Sequence, residues 1–335
     1  MTATGTPMVI AHRGASGYRP EHSRSAYELA FELGADAVEP DIVATKDGVL
    51  VLRHENEISG TTNVATHPEF ADRRTTKTID GVSHTGWFTE DFTWAELSTL
   101  RAVERVPKLR PGGAKYDGLE GILRLSDLMS IIDRSSEESD RELAMVAEIK
   151  HATYFASIGL PLDELFAAEI ASWATPTNLI IESFEQSVLD RIRARGVPGR
   201  YVFLVEASGA PADLVARDGA SARTFADHLS ASGLAQLASQ VDGISVNKQL
   251  LSRTDARANV TGTTDLVDRA HAAGLTVFVW TLRAENRFLA KNFQNGSSAA
   301  QFGDWLKEFR LILGTGVDGV FADQPDLVRQ ALARE

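Results

Sequence analysis

Met8–Val9–Ile10–Ala11–His12–Arg13–Gly14 sets the pattern for the whole chain: four apolar residues, then a histidine, an arginine and a glycine. A short apolar run of this kind reads as a buried strand, here with an ionisable tip. Further runs of the same length follow at Ala37–Val43, Val49–Arg53, Leu143–Ile149, Leu179–Glu182, Tyr201–Val205, Gly243–Val246, Thr276–Thr281 and Val317–Ala322. Helix-period segments lie between them. The spacing predicts helices over Ser23–Leu33, with Ser23 as N-cap and Gly34 as stop, and over Leu125–Arg134, Leu162–Trp173, Phe184–Arg195, Ser230–Gln240, Thr263–Ala273, Ala300–Leu313 and Gln324–Ala333.

Strands that alternate with helices make βα units and a parallel sheet. Nine runs compete for eight positions of an α/β fold of the (β/α)₈ TIM-barrel kind. Val49–Arg53 follows the turn Lys46–Asp47–Gly48 and is read as a hairpin partner outside the barrel. A chain of 335 residues suits one barrel domain over residues 1–335. The polar, Thr- and Gly-rich stretch from Glu55 to Gly121 is too long for an ordinary βα loop. It is read as an insertion or cap at one end of the barrel, of the sort that serves as lid or specificity loop.

Composition narrows the function. Net charge is −12, which argues against a nucleic-acid partner, because phosphate backbones call for a concentrated basic face. There is no cysteine, so a thiolate nucleophile and a thiolate-bound metal are excluded, and any metal must take oxygen or imidazole ligands. No apolar run approaches the roughly 20 residues of a membrane span, so no stable membrane insertion is expected. Met1 to Met8 has neither a basic nor an apolar leader region, which leaves a cytoplasmic protein, or a periplasmic or secreted one whose signal peptide has been removed. Oligomeric state is not legible.

Barrel enzymes carry their chemistry at the C-terminal ends of the strands. Here those ends hold His12 and Arg13, Glu39 and Asp41, His54 and Glu55, Glu148 and Lys150, Glu182 with Phe184, Trp280 and finally Asp323. Strand alternation puts Glu39 with Asp41, and Glu148 with Lys150, on common faces. Three inward carboxylates need compensation, and one divalent cation, Ca²⁺ or Mg²⁺, bound by Glu39, Asp41 and Glu148 is the simplest form of it. Ion pairs with Lys150 and Arg13 are the competing account. His12 and His54 suit acid–base work. Arg13 and Lys150 suit the non-bridging oxygens of a phosphate, and Phe184 and Trp280 offer apolar walls for a small alcohol, although barrel packing explains the two rings equally well. The other six histidines, at 22, 67, 84, 151, 228 and 271, are read as structural or exposed.

The segment Val9–Ile–Ala–His–Arg–Gly–Ala–Ser–Gly–Tyr–Arg–Pro–Glu–His22 resembles the opening signature of the glycerophosphodiester phosphodiesterases. Similarity continues through Gly34–Asp41, Thr45–His54, Ala147–Lys150, Ile181–Phe184, Val279–Thr281 and Gly319–Pro325. The insertion and Tyr18–Arg–Pro–Glu–His22 are most similar to the larger, periplasmic-type bacterial members. The resemblance implies a phosphatidylinositol phosphodiesterase-like TIM barrel. It implies His12 and His54 as acid–base pair, Glu39, Asp41 and Glu148 as metal ligands, Arg13 and Lys150 as phosphate contacts, and Phe184 and Trp280 around the glycerol. The implied reaction hydrolyses a small-molecule glycerophosphodiester to an alcohol and sn-glycerol 3-phosphate, through a cyclic phosphate. One departure is His54–Glu55, where the family usually has His–Asp; Glu55 is left out of the ligand set. Two alternatives stay open: a phospholipase D-like barrel acting on lysophospholipids, and a non-catalytic phosphodiester-binding barrel.

Overall fold

The structure, a computed structural model, describes residues 5–333. The leader reading of Met1 to Met8 therefore falls partly outside the described residues. The strands are β1 (Met8–His12), β2 (Ala37–Glu39), β3 (Asp41–Ala44), β4 (Leu50–Leu52), β5 (Thr75–Ile79), β6 (Val82–Gly86), β7 (Ala144–Ile149), β8 (Leu179–Ser183), β9 (Arg200–Val205), β10 (Gly243–Asn247), β11 (Ser252–Thr254), β12 (Val260–Thr263), β13 (Thr276–Leu282) and β14 (Gly319–Ala322). Parallel pairing runs β1–β2–β7–β8–β9–β10–β13–β14 and returns to β1. The sheet is a closed eight-position (β/α)₈ barrel.

The expected run Ala37–Val43 occupies one barrel position in two pieces. Pro40 interrupts it, having no N–H for the ladder. Register survives the break: Ala37 lies opposite Ala144, and Asp41 opposite Glu148. β4 pairs antiparallel with β3, Ile42 opposite Leu52, and so stands outside the barrel as the hairpin partner expected.

Alternation sorts the strand residues into two cores. Ile10, Ala37, Val146, Ile180, Phe278 and Phe321 pack together inside the barrel. Their neighbours Val9, Ala11, Val38, Ala147, Ile181 and Val320 face outward to the helices. The apolar plug inside matters for the site, because it is the floor on which the functional side chains stand.

Helices end where capping groups fall. Arg24–Glu32 begins at Ser23, whose Oγ accepts from the Ala26 N–H, and the chain leaves it through Gly34 at φ +90°. Leu125–Ser139 runs five residues past the expected Arg134 and stops at Asp140, φ +50°. Others are shorter than the periodicity predicts, among them Leu162–Ile170, Gln186–Ala194 and Trp305–Leu313. The last starts late because Gly303 N–H is held by the Ala284 carbonyl, which keeps Ala300–Gly303 in a loop. No helix among the described residues is long and apolar enough to cross a membrane.

Residues 55–121 hold the β5–β6 hairpin, turning at Asp80–Gly81, and the short helix Trp94–Leu97 with its Thr93–Glu96 capping box. Ile58, Val64, Phe70, Phe92, Leu97 and Leu100 from this stretch share one buried core with the barrel. This stretch is thus packed onto the barrel rather than hung from it.

Candidate active site

One alternation step above the apolar plug, the chemistry changes. Ile10 is followed two residues on by His12, Ala37 by Glu39, Val146 by Glu148, Ile180 by Glu182, Phe278 by Trp280 and Phe321 by Asp323. A period of two sends each of these inward like its predecessor. The result is a cavity of about 100 Å³ at the barrel mouth, bounded by His12, Arg13, Glu39, His54, Glu148 and Glu182. Phe184 and Trp280 form its wall, their rings edge to face at 5.7 Å.

Glu39, Glu148 and Glu182 each offer an oxygen within 4.8 Å of the other two. All three are buried. Burial, then Asp41 and Glu148, pushes the Glu39 carboxyl well above its usual range. Burial, then Glu148 and Asp41, does the same to Glu182. Glu148 is pushed up to about 7 by burial, with Lys150 pulling the other way. These shifts mark carboxyls crowded together that Lys150 on Glu148 and the Arg13 N–H on Glu39 compensate only in part.

Asp41 stands differently. Its Oδ2 accepts from His22 Nε2 at 3.0 Å and lies 3.2 Å from Arg13 Nε. Lys150 Nζ is 3.5 Å from its Oδ1 and 2.8 Å from Glu148 Oε1. Burial opposes ionisation, yet Lys150, His54 and Arg13 hold Asp41 well below the usual carboxylate range. Both accounts offered by the sequence therefore coexist: ion pairs engage Asp41, while a carboxylate cluster forms around Glu39, Glu148 and Glu182. Glu182 Oε2 and Asp41 Oδ1 are buried without a hydrogen-bond partner. An oxygen-only set with unspent acceptors fits a hard divalent cation.

The two histidines have matching surroundings. His12 Nδ1 donates to Asp323 Oδ1 at 2.7 Å, and Asp323 Oδ2 accepts from Arg110 at 2.5 Å and Arg283 at 2.7 Å. His54 Nδ1 donates to Glu55, which also accepts from Arg105 at 2.7 Å. An ionised carboxylate on Nδ1 selects the tautomer whose Nε2 carries the lone pair. Burial, then Arg13, lowers His12 to about 4; burial, then Arg13 and Lys150, lowers His54. Both shifts favour the neutral imidazole in the free site.

Beyond the inner cavity lies a groove of about 730 Å³, reached past His54, Lys150, Phe184 and Trp280. His12 does not line it. Also lining it, Asp80 from the β5–β6 turn accepts from His151 Nδ1 at 2.6 Å. His22 is wholly buried beneath Asp41, with Nδ1 against Tyr27 Oη at 2.7 Å, consistent with a structural part.

Of the residues expected from sequence, His12, Arg13, Glu39, His54, Glu148, Phe184 and Trp280 line the inner cavity, Lys150 lines the outer groove, and Asp41 lies against Arg13 and Lys150. Sequence reasoning left Glu182 and Asp323 unassigned, although both are strand-tip residues. It had no signal for Arg105 and Arg110, which come from the insertion.

The sequence profile of the Glycerophosphoryl diester phosphodiesterase family matches residues 12–327. Glycerophosphodiester phosphodiesterase GDPD6 of Arabidopsis thaliana is 31% identical over 335 residues, covering 96% of this chain and 84% of that protein. A solved structure from Silicibacter pomeroyi DSS-3 superposes with TM-score 0.69 at 19% identity, covering 98% of this chain and 94% of that one. A phosphodiesterase of Oleispira antarctica, solved in complex with the product sn-glycerol-3-phosphate, gives TM-score 0.61 at 21% identity, covering 97% of this chain and 96% of that one. The inward ring of strand-tip residues and a family match across almost the whole length agree, and the chain belongs to the glycerophosphoryl diester phosphodiesterase family of phosphodiester hydrolases.

Proposed function

We propose that the chain hydrolyses small glycerophosphodiesters to an alcohol and sn-glycerol 3-phosphate by acid–base catalysis between His12 and His54. The observation that carries this reading is the pair of imidazoles, each held through Nδ1 by a carboxylate, on either side of one cavity rimmed by buried carboxylates.

A divalent cation held by Glu39, Glu148 and Glu182, with Asp41 in reach, would polarise the phosphoryl oxygens and offset charge that grows on them. Arg13 and Lys150 balance the remaining negative oxygens. The inner cavity, walled by Phe184 and Trp280, takes the glycerol. The outer groove takes the departing alcohol. His54 borders both spaces and His12 only the inner one, so His12 is the base and His54 the acid. His12 Nε2 removes the proton of the glycerol hydroxyl next to the ester, and that oxygen bonds to phosphorus. The bond to the alcohol breaks as His54 Nε2 delivers a proton to it. His54 takes that proton from solvent as substrate binds: phosphate anion offsets Arg13 and Lys150, which add to burial in keeping the ring neutral, and Glu55 stabilises the imidazolium. Water then opens the cyclic phosphate with the roles reversed. Residues 55–121 act as a cap within a single catalytic domain, supported by the core they share with the barrel and by the Asp80–His151 pair across the groove.

The test is a coupled glycerol 3-phosphate assay over several glycerophosphodiesters, with and without chelator. His12→Ala and His54→Ala should each lower kcat by about 10²–10⁴-fold. Turnover indifferent to chelation removes the cation, and near-wild-type turnover in either variant removes that histidine.

A further inference from the structure

The two carboxylates that orient the histidines are themselves gripped by one short stretch of the insertion. Arg105 reaches both ways. Its Nε and Nη2 donate to Glu21 Oε2 and Oε1 at 2.7 and 2.6 Å, and its Nη1 and Nη2 donate to Glu55 Oε1 and Oε2 at 3.1 and 2.7 Å. Glu21 in turn accepts from Arg13 Nη1 at 3.1 Å. Five residues on, buried Arg110 donates from Nη2 to Asp323, from Nε to Glu285 at 2.7 Å and from Nη1 to the Ser16 carbonyl at 2.9 Å. Two guanidinium groups thus close two relays, Arg105–Glu55–His54 and Arg110–Asp323–His12. A cavity of about 130 Å³ bounded by His12, Glu21, Arg105, Arg110 and Asp323 lies between them.

We infer that Arg105 and Arg110 are positioning residues that fix the orientation and tautomer of both histidines, which makes residues 105–110 of the insertion part of the acid–base machinery rather than only a cover. This rests on the acid–base reading above. The physical reason is that a carboxylate orients an imidazole only as well as it is itself oriented. Glu55 is one methylene longer than Asp and a third exposed, so without a partner it has rotamers that abandon Nδ1. A fork held on two carboxylates removes that freedom, which a lysine's single ammonium does less well. Glu55 in place of the shorter acid is workable here because Arg105 takes up its extra reach.

Arg105 is the residue to test, being a third exposed where Arg110 is buried. Arg105→Gln should lower kcat by about 10–100-fold with KM little changed, since orientation is used in the transition state and not in binding. Nitrogen-15 NMR of histidine-labelled protein, with the His54 signal identified by its loss in His54→Gln, should show Nδ1-protonated His54 in the parent and a mixed tautomer in Arg105→Gln. Arg105→Lys should recover part of both readouts, and it carries the tautomer test if the glutamine variant does not fold. Wild-type kcat with an unchanged His54 tautomer in the folded variant overturns the inference. Wild-type turnover by His54→Gln would instead sink the acid–base reading, while the tautomer measurement would still decide whether Arg105 positions the ring.

Discussion

At the scale of single residues, Glu182 and Asp41 divide the work that one acidic cluster was expected to do. Asp41 is enclosed by His22, Arg13 and Lys150, so its charge is already balanced. Glu182 has no cation of its own among the described contacts, and one of its oxygens is buried and unpartnered. A negative charge without a partner in a buried site gains most from a bound cation. Glu182→Gln should therefore weaken Ca²⁺ or Mg²⁺ binding, measured by calorimetry on chelator-treated protein, by roughly tenfold or more. Unchanged affinity would take Glu182 out of the cation site. Glu182 could have been assigned from sequence by position, since it closes the apolar run Leu179–Glu182, and in the ladder it lies opposite Glu148. It was left unassigned although it lies inside the resembling segment Ile181–Phe184, because Glu39, Asp41 and Glu148 already made up the implied ligand set.

At the scale of elements, the turn after β1 is where strand ends and chemistry begins. Arg13 and Gly14 both sit in the left-handed region, at φ +59° and +81°. That reversal lets the Ala15 N–H donate to the Ala26 carbonyl at 2.7 Å, which packs the Arg24–Glu32 helix against the turn. A Cβ on Gly14 would lie 2.6 Å from the Ala26 carbonyl carbon and 2.7 Å from its oxygen. Gly14→Ala should cost about 1–2 kcal/mol for the backbone conformation alone, and more for the backbone contact. Denaturant unfolding measures it, and wild-type stability in that variant would contradict this account of the turn. The barrel strands were legible because short apolar runs closed by polar tips leave few other readings, while the polar hairpins β5–β6 and β11–β12 were not. Nor were several helix ends, as where the Ala284 carbonyl takes the Gly303 N–H from nineteen residues away and the helix starts only after it.

At the scale of the whole molecule, the barrel gathers three carboxylates that the unfolded chain would keep apart, and a cation held by them would be coupled to stability. In the folded, cation-free protein Glu39 and Glu182 are raised well above their ordinary values and Glu148 to about 7. A raised carboxyl contributes stability that is present below its unfolded value near 4.5 and is lost as pH climbs through the folded one. A bound cation cancels the repulsion that the loss reflects, while protons compete with it for the same oxygens. The Tm difference between Ca²⁺-loaded and EDTA-treated protein should accordingly widen from pH 5 to pH 8. Taking a difference at each pH removes the opposite contribution of the depressed histidines. An equal gap at both pH values would mean that these carboxylates are not where the cation binds.

The amino-acid order by itself determined the alternation of strand and helix, the extra hairpin run at β4, and the strand-tip positions of His12, Arg13, Glu39, Asp41, His54, Glu148 and Lys150, because side-chain period and turn chemistry are local properties. Only the folded chain decided which carboxylate meets which cation, that Asp41 is paired while Glu182 is not, and that Arg105 and Arg110 brace the two imidazoles. The bracing contacts join residues 50 and 213 positions apart, Arg105 with Glu55 and Arg110 with Asp323, and such distances collapse only when the barrel closes.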